Sequence, residues 1–164
     1  MPPTVTGRAG LMTAAYTIRT ARPDDVNAVE ATLRSAELPL DGLRDHFGEG
    51  YAVAEADGEL VGVEGIEVYG TAGLLRSAAV ASSWRGKGIG DALTRDRIEW
   101  ARRRGLKSLF LLTTTAGDYW PRFGFTRAER DVAPQAMRES PEFTDACPST
   151  ALFMALSLQQ EAPQ

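Results

Sequence analysis

One segment limits the architectures open to this chain. An apolar run, Leu74 to Val80, leads through Ser82-Ser83-Trp84 into Arg85-Gly86-Lys87-Gly88-Ile89-Gly90, and a helix-forming stretch follows as far as Arg104. Strand, glycine-rich turn and helix in that order bring unpaired first-turn N–H groups beside backbone that no side chain shields, which is an anion-binding arrangement. Arg85 and Lys87 add positive charge at its rim. A Rossmann fingerprint does not fit, because Asp91 or Leu93 stands where its third glycine is needed, and no Gly-Lys-Ser/Thr occurs for a Walker loop. The segment also follows an antiparallel hairpin, which neither nucleotide fold predicts. A turn that merely joins strand to helix is the alternative reading.

The hairpin is the second fixed point. Tyr51 to Ala56 and Glu59 to Tyr69 flank Asp57-Gly58, which supplies the positive φ that a two-residue turn demands. Before it, Tyr16 to Thr20 reads as a strand, Arg22-Pro23-Asp24-Asp25 as a helix start followed by Val26, Val29 and Leu33 on one face, and Asp41 to Phe47 as a weaker helix. Gly70-Thr71-Ala72-Gly73 turns the chain into the run from Leu74; a two-residue turn there is expected to set Glu67 directly opposite Arg76. After Gly105 come a strand over Leu106 to Leu112, a short helix at Asp118 to Arg122, and a strand following Phe123-Gly124-Phe125. A helical turn at Gln135 to Glu139 and a strand near Ala151 to Leu158 complete the order. This is one mixed α/β domain over residues 14–159, with residues 1–13 expected to be a disordered extension, Met12 an alternative start, and 160–164 a tail.

Composition narrows the partners. The 164 residues suit one domain, and the formal net charge of -4 argues against a basic nucleic-acid binder. One cysteine, Cys147, and one histidine, His46, exclude an internal disulfide and a clustered zinc site, so no metal is expected. No apolar run approaches the roughly 18 residues of a membrane span, and the first 13 residues lack a signal-peptide core. The expected setting is reduced and cytoplasmic.

Three segments in order resemble one family. Leu74-Leu75-Arg76-Ser77-Ala78-Ala79-Val80, the glycine-rich hexad, and Tyr119-Trp120-Pro121-Arg122-Phe123-Gly124-Phe125 are similar to the signature order of the GNAT family of N-acetyltransferases. Arg85, Gly88 and Gly90 match its central Arg/Gln-x-x-Gly-x-Gly/Ala element, and the resemblance covers Tyr16 to Leu158. It implies a mixed, mostly antiparallel sheet flanked by helices and splayed between its fourth and fifth strands. It implies acetyl-CoA as cofactor, with the pyrophosphate on the N–H groups of Gly86, Lys87, Gly88, Ile89 and Gly90 and with Arg85 beside them. By the same resemblance the Val80 N–H polarises the thioester carbonyl and stabilises the oxyanion. Homodimers are common in the family, and the strand near Leu152 to Leu156 is a candidate edge for one. Within the family, Leu38 to Leu43, Leu74 to Ser77, Leu111 to Ala116 and Glu142 to Pro148 resemble acetyltransferases associated with arsenic-resistance genes.

Acetyl transfer to an amine needs a neutral nucleophile, a path for its proton and a proton for the leaving thiolate. Many members supply the last from a Tyr four residues before the Gly of Gly-Phe. Trp120 holds that position here, and Tyr119, about 100° away around a helix, is the nearest hydroxyl. Trp120 is read as packing on Phe123 and Phe125. Glu64 and Glu67 have opposite parity and face opposite sides of a sheet. Glu67 is the candidate base, or else the cross-strand partner of Arg76, and Arg76 is the candidate for a substrate carboxylate. Thr113, Thr114 and Thr115 are candidates to line the acceptor pocket, or they simply suit a strand end. Cys147 reads as a buried structural thiol and His46 as solvated or packed.

The expected activity is acetyl-CoA-dependent N-acetylation of a primary amine on a small molecule, amino-acid-like or arsenic-related, by direct attack in a ternary complex. A sensor that binds acyl-CoA with weak or no catalysis is the rival, and a nucleotide-dependent enzyme is the third reading.

Overall fold

A computed structural model describes residues 15–114, 118–146 and 150–158. The expected N-terminal extension and tail, Thr115 and Cys147 lie outside the described residues. The hairpin forms as its turn dictates: Asp57 and Gly58 take φ 54° and 78°, and strand β2 (Tyr51–Ala56) pairs with β3 (Glu59–Tyr69). Strand β1 (Thr17–Thr20) adds to one side of β2, and β4 (Ala72–Val80) to the far side of β3. Strands β5 (Ser108–Thr113), β6 (Thr126–Arg127) and β7 (Leu152–Ser157) complete a seven-stranded sheet in the order β1-β2-β3-β4-β5-β7-β6. Only β4 and β5 run parallel.

Alternation along β2 decides what covers each face. Tyr51 and Val53 pack with Val29 and Leu33 of helix α1 (Val26–Ser35), whereas Ala52 and Ala54 pack with Ile89 and Leu93 of helix α3 (Ile89–Arg104). Two shorter helices, α2 (Leu43–His46) and α4 (Gln135–Arg138), flank the α1 face, each through one fully buried side chain, Leu43 and Met137. Helix α3 ends at Gly105, whose φ of 89° lets its own N–H and that of Leu106 return to Arg102 and Ala101. Among the described residues no helix is long and apolar enough to cross a membrane.

Two expectations are corrected. Residues Gly70 and Thr71 alone make the turn, so Ala72 and Gly73 belong to β4 and Glu67 lies opposite Leu74, with Arg76 opposite Gly65. The segment after Asp118 is a 3-10 turn, Trp120–Phe123, because Pro121 near its start and Gly124 at φ 102° limit it to one turn. The strand expected after Phe125 is present as the two residues of β6.

A bulge in β4 borders the space that matters. Ser77 and Ala78 together stand against Glu64, between the pairs Gly65 with Arg76 and Val63 with Ala79, and Ser77 takes φ 62°. A bulge bends its strand and increases the twist. β4 and β5 pair only over Ala72, Gly73 and Leu74 against Ser108, Leu109 and Phe110, so they have already parted where the bulge begins. The sheet therefore opens between its fourth and fifth strands.

Candidate active site

The opening is a cleft of about 840 Å³ between β4, β5 and the N-terminal turn of α3. Val80, Arg85, Gly90, Thr113, Thr114 and Tyr119 all border it. Ala81 donates its N–H to Val61, so by antiparallel alternation the backbone groups of its neighbour Val80 point away from β3 and toward the gap. The Arg85 Nε donates to the Val80 carbonyl at 3.1 Å, which folds the guanidinium over the end of β4.

The glycine-rich turn has the conformation its sequence requires. Gly86 and Gly88 adopt φ 80° and 87°, Gly88 is the N-cap that precedes α3, and Arg85 through Gly88 are exposed. Ile89 is buried and anchors the turn against Ala52, Ala54 and Leu93, so it fixes the turn through packing. A Cβ placed on Gly90 would lie 3.6 Å from the Tyr119 hydroxyl and 3.8 Å from Val80 Cγ2, inside the cleft. Free N–H groups at the start of a sixteen-residue helix, flanked by Arg85 and Lys87, suit a phosphorylated group. The unpaired edge of β4 suits the amide-bearing arm of CoA, so the residues present fit acetyl-CoA.

Tyr119 reaches the cleft in spite of its offset from the usual position. Arg122 makes two contacts with Asp91 of α3, at 2.8 and 3.2 Å, and its guanidinium lies 4.7 Å from the centre of the Tyr119 ring. That clamp holds the 3-10 turn against the helix. The Tyr119 hydroxyl lies 3.0 Å from Thr94 Oγ1, and burial raises its pKa. Trp120 packs edge-on to Phe125 at 5.7 Å, as its apolar reading expects, and also borders the cleft.

The two glutamates face opposite sides of the sheet. Glu67 lies on the α1 face, away from the cleft lining, and both its oxygens are engaged: Tyr69 donates to Oε1 at 2.6 Å and Arg76 Nη1 to Oε2 at 3.0 Å. Glu64 lies on the α3 face and borders the cleft. Thr94 donates to its Oε1 at 2.9 Å, while Oε2 is buried with no hydrogen-bond partner among the described residues. Burial pushes the Glu64 carboxyl up to about 8, against the opposing effects of Thr94 and Arg97.

Arg76 borders the cleft from beneath, within a cage. Its Nε donates to Ser77 Oγ, Nη1 to the Asp41 carbonyl and Glu67, and Nη2 to the Pro39 carbonyl, with Glu142 Oε1 at 3.5 Å from Nη2. Four of the five guanidinium N–H protons are thus hydrogen-bonded, and the contact to Glu142 is an ion pair without a hydrogen bond. His46 stacks at 5.7 Å on Tyr69, outside the cleft lining. Thr94 is the site residue that sequence reasoning passed over. Its signal was there: a hydroxyl four residues after Gly90, hence on the same face of α3 one turn further on.

Likeness to known proteins agrees with this geometry. An amino-acid acetyltransferase of Neisseria meningitidis is 28% identical over 135 residues, covering 77% of this chain and 31% of its own. The chain thus spans about a third of the length of that curated relative. Rv2747 from Mycobacterium tuberculosis, solved in complex with CoA, superposes with a TM-score of 0.74 at 26% identity, over 87% of this chain and 99% of that one. N-acetylglutamate synthase from Neisseria gonorrhoeae, solved with CoA and N-acetyl-glutamate, shares the fold at a TM-score of 0.75 and 24% identity, over 90% of this chain and 36% of that one. Residues 15–125 match the model of the acetyltransferase (GNAT) family, in which acetyl-CoA is the acetyl donor. The splayed sheet, the glycine-rich helix start and this match together show that the chain belongs to the acetyltransferase (GNAT) family.

Proposed function

We propose that this chain transfers an acetyl group from acetyl-CoA to the amine of an amino-acid-like small molecule, arsenic-containing amino acids among them, by direct attack in a ternary complex. The observation that carries the reading is the gap between β4 and β5, with Val80, Glu64 and Tyr119 on its walls. When bound, acetyl-CoA supplies an acetyl group activated as a thioester. The N–H groups from Gly86 to Gly90, with Arg85 and Lys87, hold its phosphates, and the Val80 N–H donates to the carbonyl oxygen. Glu64, a carboxyl inside the cleft with an unpaired oxygen, takes the proton that the amine loses; the engaged Glu67 supports Arg76 instead. Tyr119 returns a proton to the departing sulfur. Arg76 orients the acceptor: its longest contact, from Nη2 to Glu142, is the one an incoming carboxylate displaces. Thr113 and Thr114 border the acceptor side.

The test is twofold. Acetyl-CoA at millimolar concentration is expected to raise the melting temperature by linkage, and no shift overturns the reading. Thiol release is then followed over amino acids, arsenic-containing amino acids, polyamines and peptide N-termini. Binding without release for any of them favours a sensor over an enzyme.

A further inference from the structure

The carboxyl of Glu64 and the phenol of Tyr119 are the two ends of one hydrogen-bonded chain. Its middle member, Thr94, is completely buried on α3, 2.9 Å from Glu64 Oε1 and 3.0 Å from the Tyr119 hydroxyl. A threonine hydroxyl has a single proton, so it donates to only one of these neighbours at a time. An ionised Glu64 only accepts. Thr94 then donates to Glu64, Tyr119 donates to Thr94, and the phenol proton is turned into the protein. A neutral Glu64 protonated on Oε1 reverses every bond, and the Tyr119 proton faces the cleft.

We propose that Thr94 is a positioning residue that couples the two groups, so that protonation of Glu64 is what presents the Tyr119 O–H to the leaving sulfur. This rests on the acetyltransferase reading of the cleft. The proton balance closes without a co-reactant. As the C–N bond forms and the C–S bond breaks, the amine proton passes to Glu64 Oε2, the oxygen left without a partner. The Oε1 proton moves to Thr94, that of Thr94 to Tyr119, and that of Tyr119 to sulfur. Glu64 ends neutral with its proton on Oε2, and a half-turn of the carboxyl about Cγ–Cδ, together with rotation of the two hydroxyls, returns a protonated oxygen to Thr94 before the next turnover.

The surroundings favour the neutral start. Across from Glu64 stand Ala52 on β2 and Ser77 and Ala78 on β4, none of which titrates. On α3, Arg97 opposes its protonation and Asp96 assists it, and Tyr119 faces it through Thr94. Burial outweighs Arg97 and keeps the carboxyl neutral up to about pH 8.

The experiment compares Thr94→Val, which keeps the shape and removes the hydroxyl, with Thr94→Ser, which keeps the hydroxyl. With acetyl-CoA and whichever amine of the panel is turned over, Thr94→Val is expected to lower kcat about 100-fold with KM for acetyl-CoA within about twofold. It should also lose the fall in kcat above pH 8, while Thr94→Ser retains rate and profile. Wild-type kcat and profile in Thr94→Val overturn the proposal, as does equal impairment of both variants. A second reading needs no acceptor: the ultraviolet titration of Tyr119, isolated by subtraction of Tyr119→Phe. Glu64→Gln is expected to lower its midpoint by about one unit by freeing the Thr94 hydroxyl, and to move it less than half as far in the Thr94→Val background. An unmoved midpoint in Glu64→Gln overturns the coupling even if Thr94→Val does not fold. A coupled titration without turnover of any amine overturns the acetyltransferase reading and leaves the hydrogen-bonded chain standing.

Discussion

Arg76 Nη1 lies 3.0 Å from Glu67 Oε2, with both side chains withdrawn from solvent, and the two residues are diagonal neighbours across β3 and β4. The pair joins both strands to the loop carbonyls of Pro39 and Asp41 and to Glu142. Removing one partner of a buried pair leaves the other charge uncompensated. Glu67→Ala is therefore expected to lower unfolding free energy by about 3–5 kcal/mol in urea titrations. A loss below about 1 kcal/mol would show that the remaining acceptors satisfy Arg76 unaided. Glu67→Gln, in any variant that stays folded, is expected to keep the pH profile of acetyl transfer.

The glycine turn separates folding from binding. Gly88 sits at φ 87° with open space around it, and Gly90 has an ordinary φ with the cleft beside it. Gly88→Val is expected to lose about 1–2 kcal/mol of stability through backbone strain, along with acetyl-CoA affinity. Gly90→Val is expected to keep the wild-type melting temperature and to weaken acetyl-CoA binding in calorimetry, since its side chain projects between Val80 and Tyr119. Unchanged affinity in both variants would place the cofactor elsewhere.

Glu64 makes stability depend on pH in a definite direction. Its carboxyl is raised from 4.5 to about 8, so the folded protein holds a proton that the unfolded chain has released between those values. Stability then falls as pH rises through that window, by up to about 1.4 kcal/mol per unit, and levels off above it. Glu64→Gln removes this contribution. Urea unfolding at pH 5 and pH 9 is expected to show the variant gaining on the wild type at the higher pH. An equal difference at both would mean that Glu64 is ionised throughout.

Close approach fixes a third glycine. A Cβ on Gly65 would overlap the ring of Tyr51, which is fully buried against β3. Gly65→Ala is expected to cost about 1–3 kcal/mol or more, read as a lower melting temperature, because the ring has no space to retreat into. Expression at wild-type stability would show that β2 shifts.

Much of this fold was legible where local rules act alone. Asp57-Gly58 determined a turn, Gly105 a helix end, and the alternation from Tyr51 to Ala54 the two faces of the sheet. Legibility failed where one residue's geometry depends on a partner distant in sequence. The register of Glu67 against Arg76 was displaced because Ala72 and Gly73, turn-like in composition, are held in β4 by pairing with Ser108 and Leu109. The pairing of Glu67 with Arg76 was legible as one of two alternatives, but only tertiary structure adds Tyr69 to Glu67 and shows Glu64 in the cleft lining with one oxygen unpartnered among the described residues. The place of Tyr119 depended on Arg122 gripping Asp91, thirty-one residues away in the chain.

The early parting of β4 from β5 also bears on which donors the protein accepts. It leaves a strand edge in the interior of a sheet, where the charges and prolines that guard outer edges are not needed. Helix α3 and the Tyr119 turn packed on it border the cleft beside that edge. A donor with amides spaced along it can pair with that edge. An acetyl donor without such groups, acetyl phosphate for instance, leaves the Val80 edge unpaired and forgoes those hydrogen bonds. A preference of that kind would reside in main-chain atoms, so most side-chain substitutions leave it in place and Val80→Pro, which removes the N–H, is the one that should erase it.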